Sequence, residues 1–242
     1  MKKSFVLSLL LVCSLFLTKS SYAQGYTAPE LIIGLTLDGS MSVNDAYGVG
    51  NNFLTNDSYG MKYGRGASLN FSYGLGDTKS NRLTFGAMYT KMINGNTSSF
   101  PFFEMSPKPP HTFYDIFSGA VGYQYMFNAR CKNKQFVGLS FTLNSIHTPA
   151  YSTITFENAT RFGVMLSTGY DFALGNDMKY GITVGAKYHV MNAFARENKP
   201  STTVNNINDG SGSPGPGFNR YIGMLTIDAG FNFYTGVKPR RR

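Results

Sequence analysis

The chain has 242 residues, of which 14% are charged and 15% aromatic, with 27 glycines, a formal charge of +9 and a mean hydropathy of -0.16. Its charge content lies well below the roughly 25% of an ordinary soluble domain, while the hydropathy excludes a bundle of membrane helices. Abundant Gly, Tyr and Phe without any Trp favour strands and tight turns, and the length suits one all-β unit.

The N-terminus reads "MKKSFVLSLLLVCSLFLTKSSYAQG", in which Lys2 and Lys3 precede an apolar run from Phe5 to Leu17 and Ser21-Tyr22-Ala23 has a small-x-small form. This pattern predicts a signal peptide over 1–23, since the run is shorter than the roughly 20 residues a membrane helix requires. Val12 is bulkier than the small residue that a lipoprotein site at Cys13 would need. Export is therefore expected. Three positive charges, on Lys2, Lys3 and Lys19, leave with the leader, and Cys131 becomes the sole cysteine, so the mature chain has no internal disulfide. The terminal "KPRRR" reads as a solvated end or a contact to anionic lipid, cell-wall polymer or protein, because no basic-aromatic nucleic-acid signature accompanies it.

Eight segments with strict period two follow. The first, 31–41, sets Leu31, Ile33, Leu35, Leu37 and Met41 against Gly34, Thr36, Asp38 and Ser40; the second, 65–76, sets Ala67, Leu69, Phe71, Tyr73 and Leu75 against Ser68, Asn70 and Ser72. The third (82–91) opposes Leu83, Phe85, Ala87 and Tyr89 to Arg82, Thr84, Gly86 and Thr90, and the fourth (113–127) opposes Phe117, Val121, Tyr123, Tyr125 and Phe127 to Ser118, Ala120, Gly122 and Gln124. The fifth sets Val137, Leu139, Phe141 and Leu143 against Gly138, Ser140, Thr142 and Asn144. In the sixth, Phe162, Val164, Leu166, Tyr170 and Phe172 oppose Gly163, Ser167, Gly169 and Asp171. The seventh (180–190) opposes Tyr180, Ile182, Val184, Ala186, Tyr188 and Val190 to Gly181, Thr183, Gly185, Lys187 and His189; in the eighth, Tyr221, Leu225, Ile227, Ala229, Phe231 and Phe233 oppose Arg220, Thr226, Asp228 and Asn232.

Connections alternate as well. Those at 75–81, 128–135 and 174–178 are short, whereas those near 42–63, 92–112, 145–160 and 191–219 are long. Short turns at one end and long loops at the other are the signature of an outer-membrane barrel, with the turns and both termini in the periplasm and four long extracellular loops. The non-apolar face is Gly, Ser, Thr and Asn rather than the Lys and Glu of a water-exposed surface, which suits the interior of a narrow closed barrel and turns the apolar face to lipid. The expected fold is thus an all-β, eight-stranded antiparallel up-and-down transmembrane β-barrel over residues 24–242.

With this pattern the chain resembles the small eight-stranded outer-membrane β-barrel proteins of the OmpX and OmpA transmembrane-domain type, and more loosely the "outer membrane protein β-barrel domain" class of diderm bacteria. The resemblance covers the mature chain and is one of architecture. Many such proteins end on an aromatic residue, whereas here "FNFY" is followed by "TGVKPRRR". It implies residence in the cell outer membrane, contact with outer-membrane lipid and lipopolysaccharide, and a monomeric state.

Six charges share the expected inner face: Arg82 and Asp171 toward the turns, Asp38, Lys187 and Arg220 toward the loops, and Asp228 between. They are read as a lumen network that closes the barrel, since an unpaired buried charge is far more costly than a paired one. Small barrels that deacylate lipid A use a His-x-Ser arrangement, but His111, His147 and His189 are followed by "TFY", "TPA" and "VMN", so no enzyme activity is expected. No cofactor, metal-ligand spacing or phosphate loop is read. The loop "SSFPFFEMSPKPPHTFY" carries Phe100, Phe102 and Phe103 among four prolines and is the candidate surface-binding loop for a host or cell-envelope partner. The function expected is envelope structure or surface adhesion; the alternatives are a secreted or periplasmic lipocalin-like binder and, below it, a lipid A-modifying enzyme or narrow channel.

Overall fold

The computed structural model describes residues 27–47, 60–93, 113–148, 157–175, 177–194, 204, 206–207 and 220–238. The expected signal peptide and Phe100, Phe102 and Phe103 lie outside the described residues. Eight strands follow in order: β1 (Leu31–Asn44), β2 (Tyr63–Leu75), β3 (Asn81–Ile93), β4 (Phe113–Phe127), β5 (Asn133–His147), β6 (Ala159–Leu174), β7 (Tyr180–Phe194) and β8 (Ile222–Thr235). Each pairs antiparallel with the next, and β1 pairs with β8, so the sheet closes on itself as an up-and-down barrel and no strand edge is left open.

Strand formation follows from alternation, and the turns follow from backbone chemistry. Gly76 closes β2 at a φ of +65°, in the left-handed region that glycine enters without steric cost. Inside the barrel, a Cβ on Gly230 would lie 2.0 Å from the Leu35 carbonyl oxygen, so glycine there lets β8 close against β1. The turn end of the barrel holds the β2–β3, β4–β5 and β6–β7 connections; the opposite end is the loop end.

Most strands outrun their sequence-predicted bounds, β5 at both ends and β7 at its loop end. A register shift opposite Phe162 and Val164 breaks the alternation there, and consecutive Met191 and Asn192 are both fully buried. Periodicity therefore stops at Val190 in the sequence although the strand does not.

The apolar face points outward: Leu37 is 74% exposed, Ile227 66% and Phe231 61%, whereas Arg82 and Lys134 are fully buried. Among the described strand residues, the outward charges are Arg65, Lys91 and Asp115, all near the loop end. On β4 the charge-free stretch from Phe117 to Phe127 covers about 25 Å at an ordinary barrel tilt, the height of a hydrocarbon band. Aromatic pairs sit at its margins: Tyr125–Phe127, Tyr170–Phe172 and Tyr180–Phe233 at the turn end and Tyr89–Phe117 at the loop end, with ring centroids 4.8, 5.9, 5.6 and 4.9 Å apart.

Candidate functional site: the lumen and the loop-end rim

The lumen is layered. At mid-height Asp38 on β1 and Asp228 on β8 are direct cross-strand partners, and Lys187 on β7 bridges them, its Nζ 3.6 Å from Asp38 Oδ1 and 3.1 Å from Asp228 Oδ2. Lys187 also donates to Ser68 Oγ at 3.2 Å; Ser68 in turn donates to Asp38, as does Thr36 at 3.1 Å. Two carboxylates facing each other across a strand pair would repel, and one ammonium held between them offsets both desolvation and repulsion.

Toward the turn end lies a cavity of about 100 Å³, lined by residues that include Asn70, Gln124, Asp171, Thr183, Asp228 and Asn232. Its lining is largely apolar, with these polar groups set into it, and it is roomy enough for several waters. Beneath it, Arg82 donates to Ser72 Oγ at 2.7 Å and to the carbonyls of Ser72, Pro29 and Lys79 at 2.5, 3.0 and 3.2 Å. Asp171 accepts from Asn232 at 2.8 Å and is the cross-strand partner of Lys134, whose Nζ sits 4.4 Å from the Tyr234 ring centroid. The mid-height trio carries a net charge of -1 and the turn-end trio Arg82, Lys134 and Asp171 a net charge of +1, so the two levels neutralise each other.

Above mid-height, Thr142 and His189 Nε2 share a 2.9 Å hydrogen bond, and Asn144 donates to Thr142 and to the Met191 carbonyl. An apolar cluster that includes Met61, Met92, Tyr114, Ile116, Ile146, Ile222 and Met224 fills the loop end, and a smaller one around Ala28, Ile32, Met126 and Tyr234 fills the turn end. Arg220 lies at the loop-end rim and donates to the carbonyls of Asp45, Ala46 and Ile207.

The six charges singled out in the sequence thus fall into three places. Asp38, Lys187 and Asp228 meet at one height rather than being spread along the axis, because the β1–β8 register puts the two acids opposite each other. Arg82 and Asp171 lie together at the turn end, and Arg220 stands apart, where strand ends leave carbonyls to accept from it. Sequence reasoning missed Lys134 by assigning it to a turn, although it shares parity with Gly138, Ser140 and Thr142. The interior is also not uniformly polar: methionines and other apolar side chains occupy both ends, where an irregular cross-section favours a flexible thioether.

Outside the barrel at the loop end, Tyr89 donates to Asp115 Oδ1 at 2.6 Å, Lys91 Nζ lies 3.8 Å from the same oxygen, and His147 Nδ1 donates to Asn158 Oδ1 at 2.6 Å. Among the described residues no cluster of three His, Cys, Asp or Glu is placed to hold a metal ion.

Closed eight-stranded topology, an outward apolar belt and a charge-compensated interior define the fold of the small eight-stranded outer-membrane β-barrels. No family model and no curated protein matches the chain. Among solved structures, Neisserial surface protein A (NspA) aligns with a TM-score of 0.51 at 14% identity, over 86% of this chain and 98% of that one. OprG from Pseudomonas aeruginosa aligns at 0.44 and 11%, over 87% and 97% of the two chains. Ail of Yersinia pestis, solved in complex with the heparin analogue sucrose octasulfate, aligns at 0.39 and 12%, over 86% and 99%. At these identities the likeness is one of fold.

Proposed function

We propose that the chain is an integral outer-membrane protein, exported through residues 1–23, whose barrel is a closed scaffold for its loops and serves envelope structure or surface binding rather than transport. The observation that carries this reading is the outward belt: large exposed side chains all round the barrel, with charge confined to the loop end. Such a surface in water would be a very large apolar patch, whereas in a bilayer it is the matching one. Eight strands leave an interior only wide enough for side chains, and here ion pairs and two apolar clusters occupy it. A lipocalin-like binder would turn its large apolar side chains toward an internal cavity; this chain turns them out.

Cell fractionation tests the reading. The protein is expected in the outer-membrane fraction, resistant to carbonate extraction and migrating faster on gels when unboiled; recovery in the soluble periplasmic fraction would overturn it. In planar bilayers the purified protein is expected to show no steady conductance, and a persistent open pore would refute the closed lumen. Surface binding through Phe100, Phe102 and Phe103 is tested by deleting 98–112, which is expected to abolish adhesion while leaving heat-modifiable migration intact.

A further inference from the structure

The outer wall at the loop end carries a set of side chains that neither the lumen nor the apolar belt requires. Ser145 and His147 stand two residues apart on β5, both outward and exposed, and Asn158 lies just before β6. Residues i and i+2 of a strand share a face in either order, so Ser145-Ile146-His147 sets a hydroxyl beside an imidazole just as a His-x-Ser sequence would. His147 Nδ1 bonds to Asn158 Oδ1 at 2.6 Å; an amide oxygen only accepts, so the proton lies on Nδ1 and Nε2 is the basic nitrogen. Ser145, His147 and Asn158 share one open basin with Tyr89, Asp115 and Phe117. Depth decides what these groups meet. Ser145 pairs with Phe117, where the charge-free stretch of β4 begins, and His147 pairs with Asp115, the next outward residue on β4. The hydroxyl therefore sits at the margin of the hydrocarbon band and the imidazole one step farther toward water, and that margin is where the ester carbonyls of acyl lipids lie.

We propose that Ser145, His147 and Asn158 are the nucleophile, the base and the positioning residue of a site that hydrolyses acyl esters of lipids in the leaflet at the loop end. This goes beyond the scaffold role, and the access of the site to lipid rests on the membrane-spanning reading above. Ser145 Oγ attacks the ester carbonyl carbon while its proton passes to His147 Nε2; the carbon–oxygen bond to the lipid alcohol then breaks, and Nε2 gives that proton to the departing oxygen. Water next attacks the acyl-serine, His147 takes the water's proton and returns it to Oγ, and a fatty acid leaves. One ester and one water yield one lysolipid and one fatty acid. Asn158 holds the imidazole in the tautomer that keeps Nε2 basic. Asp115, in register beside His147, favours the imidazolium, and Lys91 and Arg65 farther along the same row favour the oxyanion. A basin open to the bilayer suits this chemistry, because the substrate arrives by lateral diffusion and is not held.

The test uses the full mature barrel, refolded into vesicles of phosphatidylethanolamine and phosphatidylglycerol, with and without lipopolysaccharide. A long-chain fluorophosphonate is expected to phosphonylate Ser145, located by peptide mass spectrometry, and fatty acid is expected to be released from ester lipids but not from their ether-linked analogues. Release without lipopolysaccharide assigns the ester to a phospholipid, and release only in its presence assigns it to the glycolipid. Ser145→Ala is expected to abolish labelling and release, and His147→Gln to slow release by about 10²- to 10⁴-fold. Asn158→Ala is expected to slow it about 100-fold, the cost of a misplaced group, and Asn158→Asp, which accepts the same Nδ1 proton, to restore most of the rate. A folded, inserted barrel that leaves Ser145 unlabelled and releases no fatty acid from either vesicle would overturn the site, as would release that survives Ser145→Ala. Unboiled gel migration reports whether each variant is folded, so these outcomes count against the site alone. A chain that enters no bilayer counts against the membrane reading.

Discussion

The middle of the barrel and its two ends handle charge differently. At mid-height the inner face holds Asp38, Lys187 and Asp228 in mutual contact and the outer face holds no charge at all among the described strands. At the ends, Arg82 and Arg220 are satisfied by backbone carbonyls that the ladder leaves unpaired, and Lys91 and Asp115 appear on the outside. The difference teaches where water and loose backbone stop. Mid-height charges turn to one another and to a few side-chain hydroxyls, whereas end charges have carbonyls and solvent, and the cost of removing a partner should follow that gradient.

The largest break in that pattern is Lys187→Met, which strands two facing carboxylates. A loss of about 3–5 kcal/mol in unfolding free energy is expected from urea titration in lipid vesicles. Combining it with Asp38→Asn and Asp228→Asn should recover most of the loss; a triple variant as unstable as the single would show that packing, not charge, sets the cost. On the outer face at the same height, Leu37→Arg is expected to cost about 2–4 kcal/mol in the same assay. At the turn end, Arg82→Met leaves the Pro29 and Lys79 carbonyls without their donor and is expected to cost about 2–3 kcal/mol. The smallest effect is expected from Leu75→Arg, at the outward end of β2, about 0–1 kcal/mol. Equal costs for Leu37→Arg and Leu75→Arg would erase the contrast between middle and end.

Much of this architecture was legible in the sequence because a strand's period is short and local. Val121 and Gly122 declare their faces without knowledge of any neighbour, and alternating short and long connections order the strands. What crosses strands was not legible. That Asp38 opposes Asp228, or that Tyr89, Asp115 and His147 converge at the loop-end rim, depends on register, which no single segment contains. Lys134 was missed for another reason: it fell within the segment read as the 128–135 turn, although its parity with Gly138, Ser140 and Thr142 marked it as interior.

The orientation of the apolar face is the claim on which the rest depends, and the chain contains no tryptophan to confuse its measurement. A single Leu37→Trp variant in vesicles should emit at the blue wavelengths of a hydrocarbon environment and be quenched by lipids brominated deep in their chains, but not by aqueous iodide. Emission typical of water, with iodide quenching and no effect of bromolipid, would place that face in solvent and contradict the transmembrane barrel.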